Sequence, residues 1–212
     1  GNPGSGKSLL LQQVAIAAAG GHHPFNGTYL DRPLSTLIVD LENPEERVEA
    51  GTRPLRDAAL EARAWEEENC HLWHARQGID LTRRRHQNDL EAVVRDCQPD
   101  LVVIGPAYKM APMRGADSNE VVARVLDFMD GLRIDYGFAL MMETHPPRGD
   151  GPMRAFGSAQ WEMAPEISIT MTTADSIAAG DWYRLAVNRD ANGTSGTDDA
   201  AGDCLVLAVE LR

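Results

Sequence analysis

No run of apolar residues in this chain approaches the ~18 that a bilayer-crossing helix needs, and no basic segment followed by an apolar core opens it as a secretion signal would. A protein dissolved in water, with no membrane partner, is the expectation. Cysteine is scarce: Cys70, Cys97 and Cys204 stand far apart in apolar, strand-like or helix-like surroundings. That spacing excludes a paired zinc framework and fits buried free thiols in a reducing cytoplasm. Positive charge is also short, with 20 Lys and Arg against 32 Asp and Glu and a formal net charge of -12. Such a balance excludes a generally basic, duplex-coating surface and leaves room only for a local DNA channel. The acidic surplus gathers in 44–69, at Glu45, Glu46, Glu49, Asp57, Glu61 and the Glu66-Glu67-Glu68 run, and at Asp198-Asp199. Solvated helix faces and a polar hairpin tip account for it. Repeats and low-complexity linkers are lacking too, and 212 residues suffice for one α/β core, so a single domain over 1–212 is expected.

What is present starts at residue 1. Gly1-Asn2-Pro3-Gly4-Ser5-Gly6-Lys7-Ser8 matches the phosphate-binding pattern G-x-x-x-x-G-K-[ST] and opens directly into an apolar, helix-like run, Leu9 to Ala19. Glycines let the backbone curl so that successive N–H groups face an anion, Lys7 can reach the β- and γ-phosphates, and the Ser8 hydroxyl can sit on Mg²⁺. The helix that follows, from Leu9 on, aims its positive end at the same place. Such a loop ordinarily hangs from a buried strand. None precedes Gly1, so the expectation is a domain whose first core strand lies upstream of this sequence.

Further along, short apolar runs alternate with helical periodicity. Strands are expected at Thr36 to Asp40, Cys70 to Ala75, Leu101 to Ile104 and Phe138 to Met142. Between them come a helix with Pro44 in its first turn and a possible break near Pro54, a helix from Gln87 to Cys97, and an amphipathic one from Ser118 to Leu132. The last third changes character. Glu166 to Thr172, Trp182 to Val187 and Leu205 to Leu211 are strand-like with no helix between them, which suggests an antiparallel extension at one edge. The fold class that follows is α/β, a mainly parallel sheet flanked by helices with a C-terminal β extension.

Ligands of such sheets collect at the carboxyl ends of the strands. After the first strand, Asp40 and Glu42 share a side by the period of two, and Glu42 is the candidate to activate or position a water, with a helix-capping acid as the other reading. After Leu101 to Ile104, phosphate-loop ATPases generally carry an aspartate that holds Mg²⁺, but here the position is Gly105. Asp100 lies at the wrong end of that strand to replace it. The next strand ends in Glu143-Thr144-His145. His145 is a candidate γ-phosphate sensor or a plain surface histidine, and Glu143 either supplies acidity missing at Gly105 or is a solvated acid. Finally, Arg189 closes a strand at a rim position, where it either reaches a neighbour's nucleotide or pairs locally with an acid such as Asp190.

In their order and spacing these residues resemble the RecA-like ATPase core of hexameric replicative helicases of the DnaB and RepA kind and related AAA-type phage and plasmid proteins. The carriers are Gly1 to Ser8, Val39 to Glu42, Pro99 to Pro106, Thr144-His145, Phe156 to Ala159 and Asn188-Arg189, so the resemblance spans almost the whole chain. Gly105 departs from it, as does Val187, where many relatives carry a lysine. The resemblance implies ATP and Mg²⁺ as ligands, a homo-oligomeric ring with ATP at subunit interfaces, and single-stranded DNA as partner. DNA would be tracked by two glycine-containing loops, one with Lys109 and Arg114 and one with Arg148 and Arg154; ordinary solvent-exposed loops are the alternative. A helicase motor, a RecA-like recombination or annealing ATPase, and a nucleotide switch with weak hydrolysis all fit these features.

Overall fold

The computed structural model describes residues 7–24, 28–62, 69–111 and 118–144, together with three strand segments, 167–172, 182–189 and 208–210. Four parallel strands, β1 (Thr36–Asp40), β2 (Cys70–His74), β3 (Leu101–Gly105) and β4 (Ala139–Met142), form the main sheet in the order β2-β1-β3-β4. Their register aligns the carboxyl ends: Asp40 pairs with both His74 and Gly105, and Ile104 with Met142.

Alternation along the two central strands divides the core into two layers. Leu37, Val39, Val102 and Ile104 pack with Leu90 and Val94 of α3 (Arg84–Cys97) and with Val122, Val125 and Met129 of α4 (Ser118–Tyr136). Ile38, Leu101 and Val103 pack with Val14, Ala15 and Ile16 of α1 (Lys7–Ala19) and Ala59 of α2 (Glu45–Ala62). Both faces of β1 and β3 are therefore covered, which is why these strands read as continuous apolar runs. Burial of that apolar area, at about 25 cal/mol per Å², is the main force holding the sheet between its helices.

Two expectations need correction. The break near Pro54 does not occur, since α2 runs from Glu45 to Ala62 with Pro54 inside it. Proline there forfeits one backbone hydrogen bond, but Val48 and Ala59 are buried on either side of it and α2 lies along α1. Packing outweighs the local penalty. The C-terminal strands, β5 (Ile167–Thr172), β6 (Trp182–Arg189) and β7 (Ala208–Glu210), form an antiparallel meander of their own, with β6 in the middle. Their antiparallel pairing is as expected, but among the described residues none of them pairs with β4, so the extension stands there as a sheet of its own rather than at the edge of the main one. A three-stranded meander satisfies its middle strand on both sides without a parent edge.

Candidate functional site

Lys7 is the first described residue and opens α1, whose body lies against β1 and β3. Its ammonium is half-buried, and burial pulls its pKa below the ordinary lysine value; the negative charges of Glu143 and Glu42 partly offset that loss of water. Two carboxylates from the ends of different strands thus act on one ammonium, at the amino end of a helix. This electrostatic convergence marks the site.

Glu143 follows β4 directly and is buried at 6% exposure. Its backbone is held on both sides: its N–H donates to the Ile104 carbonyl at 3.0 Å, and its carbonyl accepts from the Ala107 N–H at 2.8 Å. The side chain accepts a hydrogen bond from the Ser8 hydroxyl, Oγ to Oε2 2.7 Å, across 135 residues of sequence. It also accounts for the glycine at 105, because a Cβ built there would lie 2.6 Å from the Glu143 Cβ. Real Cβ atoms do not approach so closely. A side chain at position 105 would therefore meet the Glu143 side chain at its base.

On the neighbouring strand, β1 ends at Asp40, so the period of two stops before Glu42. What sets the turn is Asp40 itself. Its Oδ1 accepts the backbone N–H groups of Glu42 at 2.9 Å and Asn43 at 2.7 Å, and Asn43 Nδ2 donates to Oδ2 at 3.0 Å. Aspartate favours such turns because its short carboxylate reaches the backbone two and three residues on. Glu42 emerges exposed, and the Tyr108 hydroxyl donates to its Oε1 at 2.7 Å. Tyr108 sits in a 3₁₀ turn, Ala107–Lys109, just past the Gly105–Pro106 peptide, which is cis. Neither Tyr108 nor the bracing role of Asp40 follows from the sequence reading. The signal that pointed there was position alone, since both stand at strand ends.

Other sequence candidates fall differently. Leu9 lies exposed on α1. Lys109, expected in a mobile loop, belongs to the 3₁₀ turn: its carbonyl accepts the Ile79 N–H at 3.0 Å, and the adjoining Met110 is fully buried. The start of that loop is therefore packed, because Met110 supplies an apolar anchor. The Lys109 Nζ lies 5.9 Å from the centre of the Tyr108 ring. Arg189 is the final residue of β6, paired in register with Ile167. The phosphate-loop residues Gly1, Asn2, Pro3, Gly4, Ser5 and Gly6, the sensor candidate His145, and Arg114, Arg148 and Arg154 all lie outside the described residues.

At the opposite end of β3, Asp100 takes both forks of Arg32, at 2.8 and 2.6 Å, and the Ser35 N–H at 2.9 Å. The hydrogen bonds from Arg32 hold its carboxyl below the ordinary carboxylate range. This acid is a local brace, as its place at the amino end of the strand implies.

A hydroxyl and a carboxylate in contact, beside an ammonium, are hard oxygen donors of the kind Mg²⁺ accepts, with waters and phosphate oxygens completing its shell. Ser8 and Glu143 therefore fit that ion. Among the described residues no helix is long and apolar enough to cross a membrane. A family model described as an AAA domain matches residues 1–151, well over half of the 212-residue chain. The chain belongs to that family of ATPase-like nucleotide-binding domains. No curated protein matches it.

Proposed function

We propose that this AAA-domain chain binds ATP with Mg²⁺, hydrolyses it, and uses the cycle to move along single-stranded DNA as a ring-forming motor of the replicative-helicase kind. The observation that carries the reading is the gathering of Lys7, Ser8, Glu42 and Glu143 at the carboxyl ends of a parallel sheet. In it, the loop from Gly1 to Ser8 wraps the phosphates and Lys7 neutralises their negative oxygens. Ser8 is among the residues that would hold Mg²⁺, which would supply further neutralisation of the triphosphate's charge.

Glu42 accepts a proton from the attacking water as its oxygen bonds to the γ-phosphorus and the bridging bond to ADP breaks. Tyr108, bonded to the same carboxylate, keeps it aimed rather than free to rotate. His145 reads whether the γ-phosphate is present, and Arg189 of one subunit reaches the nucleotide of the next across a hexameric ring. Lys109, Arg114, Arg148 and Arg154 supply the positive charge that follows the DNA strand, so that the rest of the surface stays acidic.

Steady-state ATP hydrolysis with and without single-stranded DNA, paired with a strand-separation assay, tests this. DNA-stimulated turnover with unwinding is the expected result. Strand pairing without unwinding would make the protein a recombination-type ATPase. Tight binding with negligible turnover would make it a switch.

A further inference from the structure

We propose that the carboxylate serving the metal in this protein has moved by one strand, from the end of β3 to the end of β4, and that Glu143 is that group. The inference rests on the nucleotide-site reading above and deepens it by naming the residue that replaces the absent aspartate.

Phosphate-loop ATPases hold Mg²⁺ between the loop hydroxyl and an acid at the end of the strand that here finishes in Gly105. The structure puts a different acid in contact with that hydroxyl, with Glu143 Oε2 2.7 Å from Ser8 Oγ. Its origin differs little from the usual one. Neighbouring strands run about 4.7–4.9 Å apart, yet the Glu143 Cβ lies only 2.6 Å from where a Cβ on residue 105 would stand. The carboxylate therefore leaves the backbone from almost the place an aspartate at 105 would use. The same closeness sets the two acids against each other: with Glu143 present, any side chain at residue 105 would force the backbone of one strand to shift.

Fixing of the group is as strong as its placement. The peptide groups on both sides of the Glu143 Cα are bonded to Ile104 and Ala107, so the side chain starts from a rigid base. At 6% exposure its charge needs a nearby cation, and Lys7 supplies one in the absence of nucleotide. When triphosphate draws the ammonium toward itself, a divalent cation at Ser8 would take over that compensation. A brace for Ser8 alone would need no charge, because an amide oxygen accepts a hydroxyl equally well.

That difference sets the test, run on the full chain. Mn²⁺ in place of Mg²⁺ is titrated into protein saturated with ADP and followed by electron paramagnetic resonance; fluorescent ADP binding in EDTA is measured alongside. Glu143→Gln keeps the volume and an acceptor for Ser8 but loses the charge. We expect about 10- to 100-fold weaker Mn²⁺ binding with metal-free ADP affinity undiminished. The decisive second variant returns the acid to β3: Gly105→Asp combined with Glu143→Gly, glycine being required because an alanine Cβ at 143 would still collide with residue 105. It should recover most of the lost Mn²⁺ affinity, whereas Gly105→Asp alone should not. Wild-type Mn²⁺ affinity in Glu143→Gln, with ADP still bound in EDTA, overturns the inference and leaves the nucleotide site standing. Absence of ADP binding by the wild-type protein in EDTA and in Mn²⁺ alike overturns both.

Discussion

The two ends of the parallel sheet use the same residue types to opposite ends. At the amino end, Asp100 is saturated: Arg32 grips both oxygens and Ser35 donates its N–H, so the charge is neutralised by neighbours that stay where they are. At the carboxyl end, Lys7, Glu42 and Glu143 share one region, Lys7 is short of water, and Glu42 stands exposed with Tyr108 on one oxygen. One end has settled its electrostatics internally, and the other is arranged to receive a charged ligand. The carboxyl ends of a parallel sheet are where its ligands collect.

The sharpest way to test that contrast is to remove single functions from the carboxyl end. Glu42→Gln should lower ATP turnover by about 10²- to 10⁴-fold, the usual contribution of a positioned base, while nucleotide affinity stays close to wild type. A turnover assay beside an ADP titration separates the two. Unchanged turnover would assign Glu42 to the capping of α2 instead.

Lys7→Ala should come next, weakening nucleotide binding by about 10- to 100-fold through loss of a charge-assisted contact. The lowered pKa adds a pH signature. A base whose pKa is depressed gives up its proton at lower pH, so ADP affinity should begin to fall below pH ~10.4, the ordinary lysine value, and that limb should vanish in Lys7→Ala. Lys109 is the only other lysine of the sequence, which makes the Lys7 resonance assignable after ¹³C-methylation.

A smaller effect is expected from Tyr108→Phe. Loss of one hydrogen bond, about 1 kcal/mol, should reduce kcat severalfold with KM unchanged, and a loss in KM alone would show that Tyr108 serves binding rather than the aim of Glu42. The smallest effect on turnover is expected from Arg32→Ala at the opposite end of the sheet, which should leave ATP hydrolysis untouched and lower stability alone, at neutral pH more than in acid. Asp100 has its pKa depressed, so the stability it contributes is present above the unfolded carboxylate value and is lost as pH falls through the folded one. Without Arg32, acid unfolding followed by circular dichroism should begin at higher pH. A change in turnover would erase the distinction between the two ends.

The alternation of strand and helix was legible because β1 and β3 are covered on both faces and carry unbroken apolar runs. Helix ends were less so. Helix α4 continues to Tyr136, where Gly137 at φ +75° takes the left-handed conformation that closes it, and the apolar stripe had faded by Leu132. Proline at 54 misled because the packing of Val48 and Ala59 has no local sign in the sequence.

Within the site, the phosphate-loop pattern could be read because it is contiguous. Gly105 was visible as an anomaly, but its cause was not. The Cβ of Glu143 approaches it from the neighbouring strand, and the Ser8 contact joins residues 135 apart. The same holds for Tyr108 and Glu42, 66 residues apart. Contacts of that kind are set by strand order and register, which periodicity does not report.

The most direct test of the central claim is a structure of the protein with Mg²⁺, ADP and beryllium fluoride as a γ-phosphate mimic. The account predicts Lys7 Nζ within hydrogen-bond distance of the fluoride, Glu42 one water away from it, and the metal beside Ser8 on the Glu143 side. Nucleotide bound elsewhere, or a fluoride facing Lys7 with Glu42 turned to another surface, would contradict it.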